Sequence, residues 1–468
     1  MTLTRSPVIP RWLWSFEQLE LILAVIVTLS LYGDAFPYRT PIVFPLTLLG
    51  FGWVGLVQRK LTVPSNAGFA FTVACVVFYL IGILETSYLY NLNLRDLRNV
   101  ASLLLLSPML CSLRDRRQFQ TFCKYTVVLG AFAGSVLAVI GLYKYNLMAE
   151  GREIKFLFFA GRQYPWGTSL IVDYNFYAFA MLAGAVSCCF ALCRFASFGA
   201  KALSLCGVVL TLASMSLSGS RRGWVTEALF LIIVVGLTLR WIGLNLWRSL
   251  HRALDAKVSF QSIVLLFTVA ILFGAALRRL HPAFLDSNRA EFQVQSKSLQ
   301  GRLDGLTQPG ASFEGRSDRW VFASHLLENA SPMQLLFGQG FDYLHIYAVE
   351  FPGDTPEDYP HNPIISASLF SGIVGGSLVF AFLIAATLRY FRARKSDIYF
   401  ASLYAASLCF VIPSYNSIFS GKLFGLLLLI PWSIPPAEDR ISHAKSSIDS
   451  PELIHTRFPR AAAVKYSR

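Results

Sequence analysis

Apolar stretches of about 20 residues recur along almost the whole chain, and that is the length a helix needs to cross ~30 Å of hydrocarbon. They lie near residues 16–33, 41–58, 67–84, 99–113, 120–142, 173–193, 201–218, 224–243, 259–280, 362–388, 398–415 and 422–434. Inside lipid every backbone N–H and C=O must be satisfied within its own segment, so the stretches read as helices. The expected fold is an all-α integral membrane protein with about twelve transmembrane helices. Charged residues make up only 15% of the chain and hydrophobic ones 54%, where a soluble domain carries about a quarter charged. Pro45, Pro108 and Pro431 fall inside spans, which is tolerated where neighbours re-satisfy the freed carbonyls. Arg5 and Arg11 precede the first apolar run, but no small-residue cleavage site follows it, so a cleavable signal peptide is not expected.

Charge in the connections orients the bundle. Compact basic loops hold Arg59-Lys60, Arg114/Arg116/Arg117, Arg194/Lys201, Arg240/Arg248/Arg252/Lys257 and Arg389/Arg392/Arg394/Lys395. By the positive-inside rule this side is cytoplasmic, and both termini join it. The net charge of +14 is then largely a topology signal, and no nucleic-acid partner is implied. Four regions follow: spans over 1–280, a large outer loop over 281–361, spans over 362–434, and a basic cytoplasmic tail over 435–468. The tail's basic residues suit weak attraction to anionic membrane lipids.

The 281–361 loop is too long for a plain connector and should carry structure of its own. From Arg316 to Glu328 apolar residues fall at 320, 323 and 327, an amphipathic helix pattern suited to lying on the membrane surface or capping the bundle. Ser331-Pro332 reads as a stop, Leu335 to Phe341 as a glycine-punctuated turn, and Glu350 to Asp358 as an acidic, proline-rich end. All eight cysteines lie in or beside spans, where a small apolar packing role is the better reading.

Several outer-side residues are suited to chemistry. The turn Leu217-Ser-Gly-Ser-Arg221-Arg222-Gly-Trp224 places two arginines against the positive-inside trend. A planar guanidinium matches phosphate oxygens. Equally, the pair could snorkel to lipid phosphates or bind Glu227 one turn further on. The long loop adds Arg278, Arg279, Arg302, Arg316 and Arg319, with Asp304, Glu314 and Asp318 as candidate partners. Glu227 and Asp173 are the carboxylates best placed to orient an arginine or act as a base. Among the histidines, His361 stands out by its setting at the water–membrane boundary. It follows Pro360, heads an apolar helix through Asn362, and precedes Gly372, Gly375 and Gly376, small residues that allow close helix approach.

These residues resemble a known family. His361-Asn362, nine residues, Gly372, two residues and Gly375 resemble the H-[N/S/Q]-x9-G-x-x-[G/T/Y] motif of bacterial O-antigen ligases. Ser220-Arg221 resembles the "SR-G" element of the wider O-antigen ligase and polymerase superfamily. Arg316-x-x-x-Trp320, then Pro332 and Gly338-x-Gly340, resembles its "R-x-x-x-W … P-x-x-G-x-G" periplasmic stretch. The likeness covers about residues 205–390 in the right order. Departures are the doubled Arg221-Arg222 and a slightly long spacing from Pro332 to Gly338.

The resemblance implies glycan transfer at the periplasmic face of the bacterial inner membrane, from an undecaprenyl-diphosphate-linked donor. The acceptor would be lipid A–core for a ligase, or a second lipid-linked glycan for a polymerase; the nearly complete His-Asn motif favours the ligase. Arg221 and Arg316 would stabilise the diphosphate charge, and His361 would deprotonate the acceptor hydroxyl or hold the diphosphate. Arg222, Arg319, Asn362, Trp320 and Glu227 would line the substrate site. Neither metal nor cofactor is expected, since no Asp-x-Asp signature occurs and transfer in this superfamily is metal-independent. The competing class is a polytopic transporter or lipid flippase, which would place ionisable groups at mid-membrane and show internal repeats.

Overall fold

The computed structural model of the protein describes residues 17–35, 42–57, 66–86, 94–113, 115–149, 167–171, 174–195, 197–250, 314–351, 358–392, 398–411 and 422–433. Among these residues the chain is helical between short turns and contains no strand. The helices are α1 (Glu17–Tyr32), α2 (Val43–Gly52), α3 (Ala67–Leu84), α4 (Leu94–Cys111), α5 (Arg116–Ala149), α6 (Tyr174–Arg194), α7 (Phe198–Ser216) and α8 (Arg221–Leu250). They continue with α9 (Glu314–Glu328), α10 (Pro332–Phe337), α11 (Asp342–Glu350), α12 (Pro363–Phe391), α13 (Ile398–Val411) and α14 (Lys422–Ser433). Five of the described helices, namely α3, α5, α6, α7 and α12, are long and apolar enough to cross a membrane. The protein is thus all-α with membrane-embedded character. The span expected at 259–280 lies outside the described residues.

Hydroxyl side chains inside these helices return their hydrogen bonds to the preceding turn, as Thr28 does to the Ala24 carbonyl, Thr72 to Gly68 and Thr126 to Phe122. A polar group in an apolar surround is costly unless paired; back-bonding lets serine and threonine sit there. Helices α1, α5, α6, α7 and α8 form one packed group, and α3, α4, α12 and α14 another, joined where α13 meets α6 and α14 meets α1. Aromatic stacks fill the seams: Phe71 lies on Phe382, itself stacked on Trp432, and Phe122 stacks on Phe400.

One expected span is different in kind. The stretch read as a continuous helix from 362 is broken at Ser371–Gly372, where Gly372 takes φ +70°. A straight helix of its 29 residues would measure about 43 Å, well beyond a ~30 Å hydrocarbon slab. Before the break no residue of α12 is exposed, whereas Ile373, Val374, Phe380, Ile384 and Leu388 beyond it are exposed apolar side chains. Hydropathy alone does not register this break, because both halves are apolar.

Candidate functional site

His361 is held from both sides. Asn362 caps α12: its Oδ1 accepts from Ile364 N at 2.9 Å and Ile365 N at 3.3 Å. Asparagine is favoured at that position, and Pro363 suits the first helical residue, where no N–H is needed. Entry into the cap puts His361 at φ +54°, the only non-glycine residue with positive φ among the described residues. Such a conformation costs on the order of 1 kcal/mol or more and persists only where the surroundings impose it. Trp320 imposes part of it by donating Nε1–H to the Pro360 carbonyl at 2.8 Å. The Tyr359 ring lies 4.3 Å from the imidazole.

The neighbouring residue of α9 grips the same segment one step earlier. Arg319 binds Asp358 Oδ2 through Nη2 at 2.6 Å and Nε at 3.0 Å. Its guanidinium also lies over the Phe351 ring at 4.6 Å, a cation–π contact. Asp358 Oδ1 accepts from Tyr359 N at 2.8 Å and stands 3.9 Å from His361 Nε2. That separation exceeds hydrogen-bond range and lies at the limit of ion-pair contact. Tyr347 of α11 donates its hydroxyl to the Arg319 carbonyl at 2.7 Å. Burial, reinforced by the Asp358 charge and opposed by Arg319, holds the Tyr347 phenol above the usual tyrosine range.

A second contact set lies further along α12. Ser331 and Gln334 form a capping box that starts α10 at Pro332, so the expected stop also begins a short helix. After it Gln339 N donates to Leu369 O at 2.8 Å and Gly340 N to Phe370 O at 3.1 Å. An unbroken helix would satisfy those carbonyls with the N–H groups of residues 373 and 374; here the loop supplies donors beside the break. Gly338 (φ +90°) and Gly372 (φ +70°) are both required: a Cβ on the first would strike the Phe370 carbonyl, and on the second the Leu336 carbonyl. The atoms facing Gly375 and Gly376 are mainly those of Ser371 and Ser368 in the same helix. Gly372 therefore serves a loop–helix contact.

The arginine turn belongs to a separate cluster on α5–α8. Ser220 Oγ accepts from Gly223 N at 3.0 Å and donates to Asn175 Oδ1 at 2.8 Å, capping α8. Residues 167–171 brace the turn: Thr168 N donates to Leu217 O at 3.0 Å, and Lys144 Nζ reaches Ser169 O at 2.5 Å. Glu227 is buried with both carboxylate oxygens 2.8 Å from Ser216 Oγ. The backbones of Arg221 and Arg316 lie in the first turns of α8 and α9, but their side chains, and the whole of Asp173, lie outside the described residues.

No family model matches this chain, and no curated protein or solved structure matches it.

The structure therefore gathers His361, Asn362, Trp320 and Arg319 around one segment, and places Arg222 and Glu227 on another group of helices. Arg319 binds Asp358, a residue of the acidic end of the same loop. Asp358 and Tyr347 were missed by sequence reasoning. The Asp358–His361 spacing of three residues is a faint signal for the first; the second has none, because its partner is a backbone carbonyl.

Proposed function

We propose that the protein transfers a glycan from undecaprenyl diphosphate to an acceptor hydroxyl at the periplasmic face of the bacterial inner membrane, with lipid A–core as the acceptor. The observation that carries this reading is the convergence on α12 of stretches that resemble separate superfamily motifs. Trp320 is bonded next to His361, and Gly338 and Gly340 lie against the helix break at Gly372. A histidine kept in a strained conformation by a surrounding brace is what a preorganised catalytic group requires.

In the reaction the acceptor oxygen forms a bond to the anomeric carbon as the bond to the diphosphate breaks. His361 takes the acceptor proton, and Arg221, Arg222 and Arg316 stabilise the charge left on the departing diphosphate. Arg319, engaged by Asp358, holds the histidine segment, and Glu227 steadies the arginine turn. The reading includes about twelve spans, with both termini cytoplasmic and the loop over 281–361 periplasmic.

Deleting the gene in its host and resolving lipopolysaccharide and undecaprenyl-linked glycans on gels tests it. Long glycans stranded on undecaprenyl diphosphate beside bare lipid A–core support ligation. Lipid A–core capped with a single repeat would instead mean a polymerase, and an unchanged profile would sink both. Complementation with His361→Ala, Arg221→Ala and Arg316→Ala should fail in each case while the protein inserts normally.

A further inference from the structure

The stretch from Asn329 to Phe341 carries no charged residue, although Glu328 and Asp342 bound it. It holds α10, whose Met333 and Leu336 are 62% and 47% exposed. Two features determine what covers them.

The first is level. Beyond the Gly372 break, α12 runs about 19 residues to Phe391, or about 28 Å, which is one hydrocarbon thickness. Helix α3 has 18 residues, about 27 Å, and ends at Leu84. The segment after α10 meets both ends: Gly340 N bonds Phe370 O on α12, and Phe341 N bonds Thr86 Oγ1 just past α3. If these two helices span, α10 sits at the edge of the hydrocarbon. The exposed Met333 and Leu336 then lie on a helix that packs against α12 and α3, where Ile373, Val374 and Leu84 are exposed apolar side chains too.

The second is backbone satisfaction. Non-helical backbone at membrane depth is tolerated only where its polar groups are paired within protein. Here Gly338 N bonds Gln334 O, Gln339 N bonds Leu369 O, Gly340 N bonds Phe370 O and Phe341 N bonds Thr86 Oγ1. The Ser331–Gln334 capping box closes the other end. A loop facing water has no need of so complete a set.

We infer that α10 is seated in the adjoining leaflet of the bilayer, with Met333 and Leu336 among phospholipid acyl chains. Residues 363–371 then place about 13 Å of helix between that boundary and His361. The inference rests on the spanning helices alone and not on the glycan-transfer reading.

Photolabelling tests it. p-Benzoylphenylalanine is introduced singly at Met333, Leu336, Ile384 and His325, and the full-length protein is reconstituted in phosphatidylethanolamine–phosphatidylglycerol vesicles. After illumination, phospholipid adducts are read by intact mass. Ile384 is an exposed residue of the α12 span, and His325 is an exposed polar residue of α9. Adducts at 333 and 336 approaching the yield at 384, and at least fivefold above that at 325, are expected. An adduct at 384 with none at 333 and 336, or cross-linking there to a second copy of the chain, would overturn the inference. Failure to label at 384 would overturn the spanning reading and this inference with it.

Discussion

Arg319 and Asp358, 39 residues apart, form a two-pronged ion pair with Nη2–Oδ2 at 2.6 Å and Nε–Oδ2 at 3.0 Å. The pair ties α9 to the strand of chain entering His361. Its side chains are 22% and 15% exposed, so neither partner is well solvated when left alone. Arg319→Ala and Asp358→Ala should each destabilise the loop by about 1–3 kcal/mol. The double variant should cost clearly less than the sum, as measured by thermal melts in detergent. Additive losses would mean the pair is incidental.

Substitution at His361 separates strain from chemistry. His361→Gly should melt higher than His361→Ala by about 1 kcal/mol, because glycine adopts positive φ freely and alanine does not. Both should lose transfer activity by about 10²–10⁴-fold, the range of a general acid–base contribution. Retained activity in either variant would remove His361 from the chemistry.

At Gly372 the fit of loop and helix should be intolerant. Gly372→Ala forces a Cβ into the Leu336 carbonyl at φ +70°, and a loss of at least about 2 kcal/mol is expected. Among the described residues no atom lies within 4 Å of a Cβ added at Gly236, so Gly236→Ala should be neutral or stabilising by up to about 1 kcal/mol. Comparing yields and melting temperatures of the two variants checks this.

Tyr347 makes the loop sensitive to alkali. Its phenol is held above its ordinary value of about 10 by burial and by Asp358. Above that pH the folded state keeps a proton that the unfolded chain releases, so this stabilisation is complete below pH ~10 and falls as pH rises. Tyr347→Phe should flatten the alkaline limb of the melting curve relative to the parent. An identical limb would show that the phenol is not coupled to folding.

Much of the architecture could be read from residue order, because hydropathy and helix caps are local properties. Ala67–Leu84 matches the span expected at 67–84, and α6 and α7 fall within a few residues of theirs, whereas α8 runs to Leu250, well past the end expected at 243. Asn362 before Pro363 marks a helix start that the structure keeps. Local rules also bring out Trp320 and His361 as unusual residues, but not that one fixes the carbonyl preceding the other.

Residue order alone is enough to make this chain an apolar helical protein suited to a membrane, since its repeated ~20-residue runs permit little else. It also determined which polar residues stand out against that background. The pairing of Arg319 with Asp358, and the ending of a helix half at Gly372 which Gln339 and Gly340 then complete, come from packing in three dimensions. Those choices depend on which distant segment arrives beside each group, and a buried donor or acceptor takes whichever partner packing brings within ~3 Å.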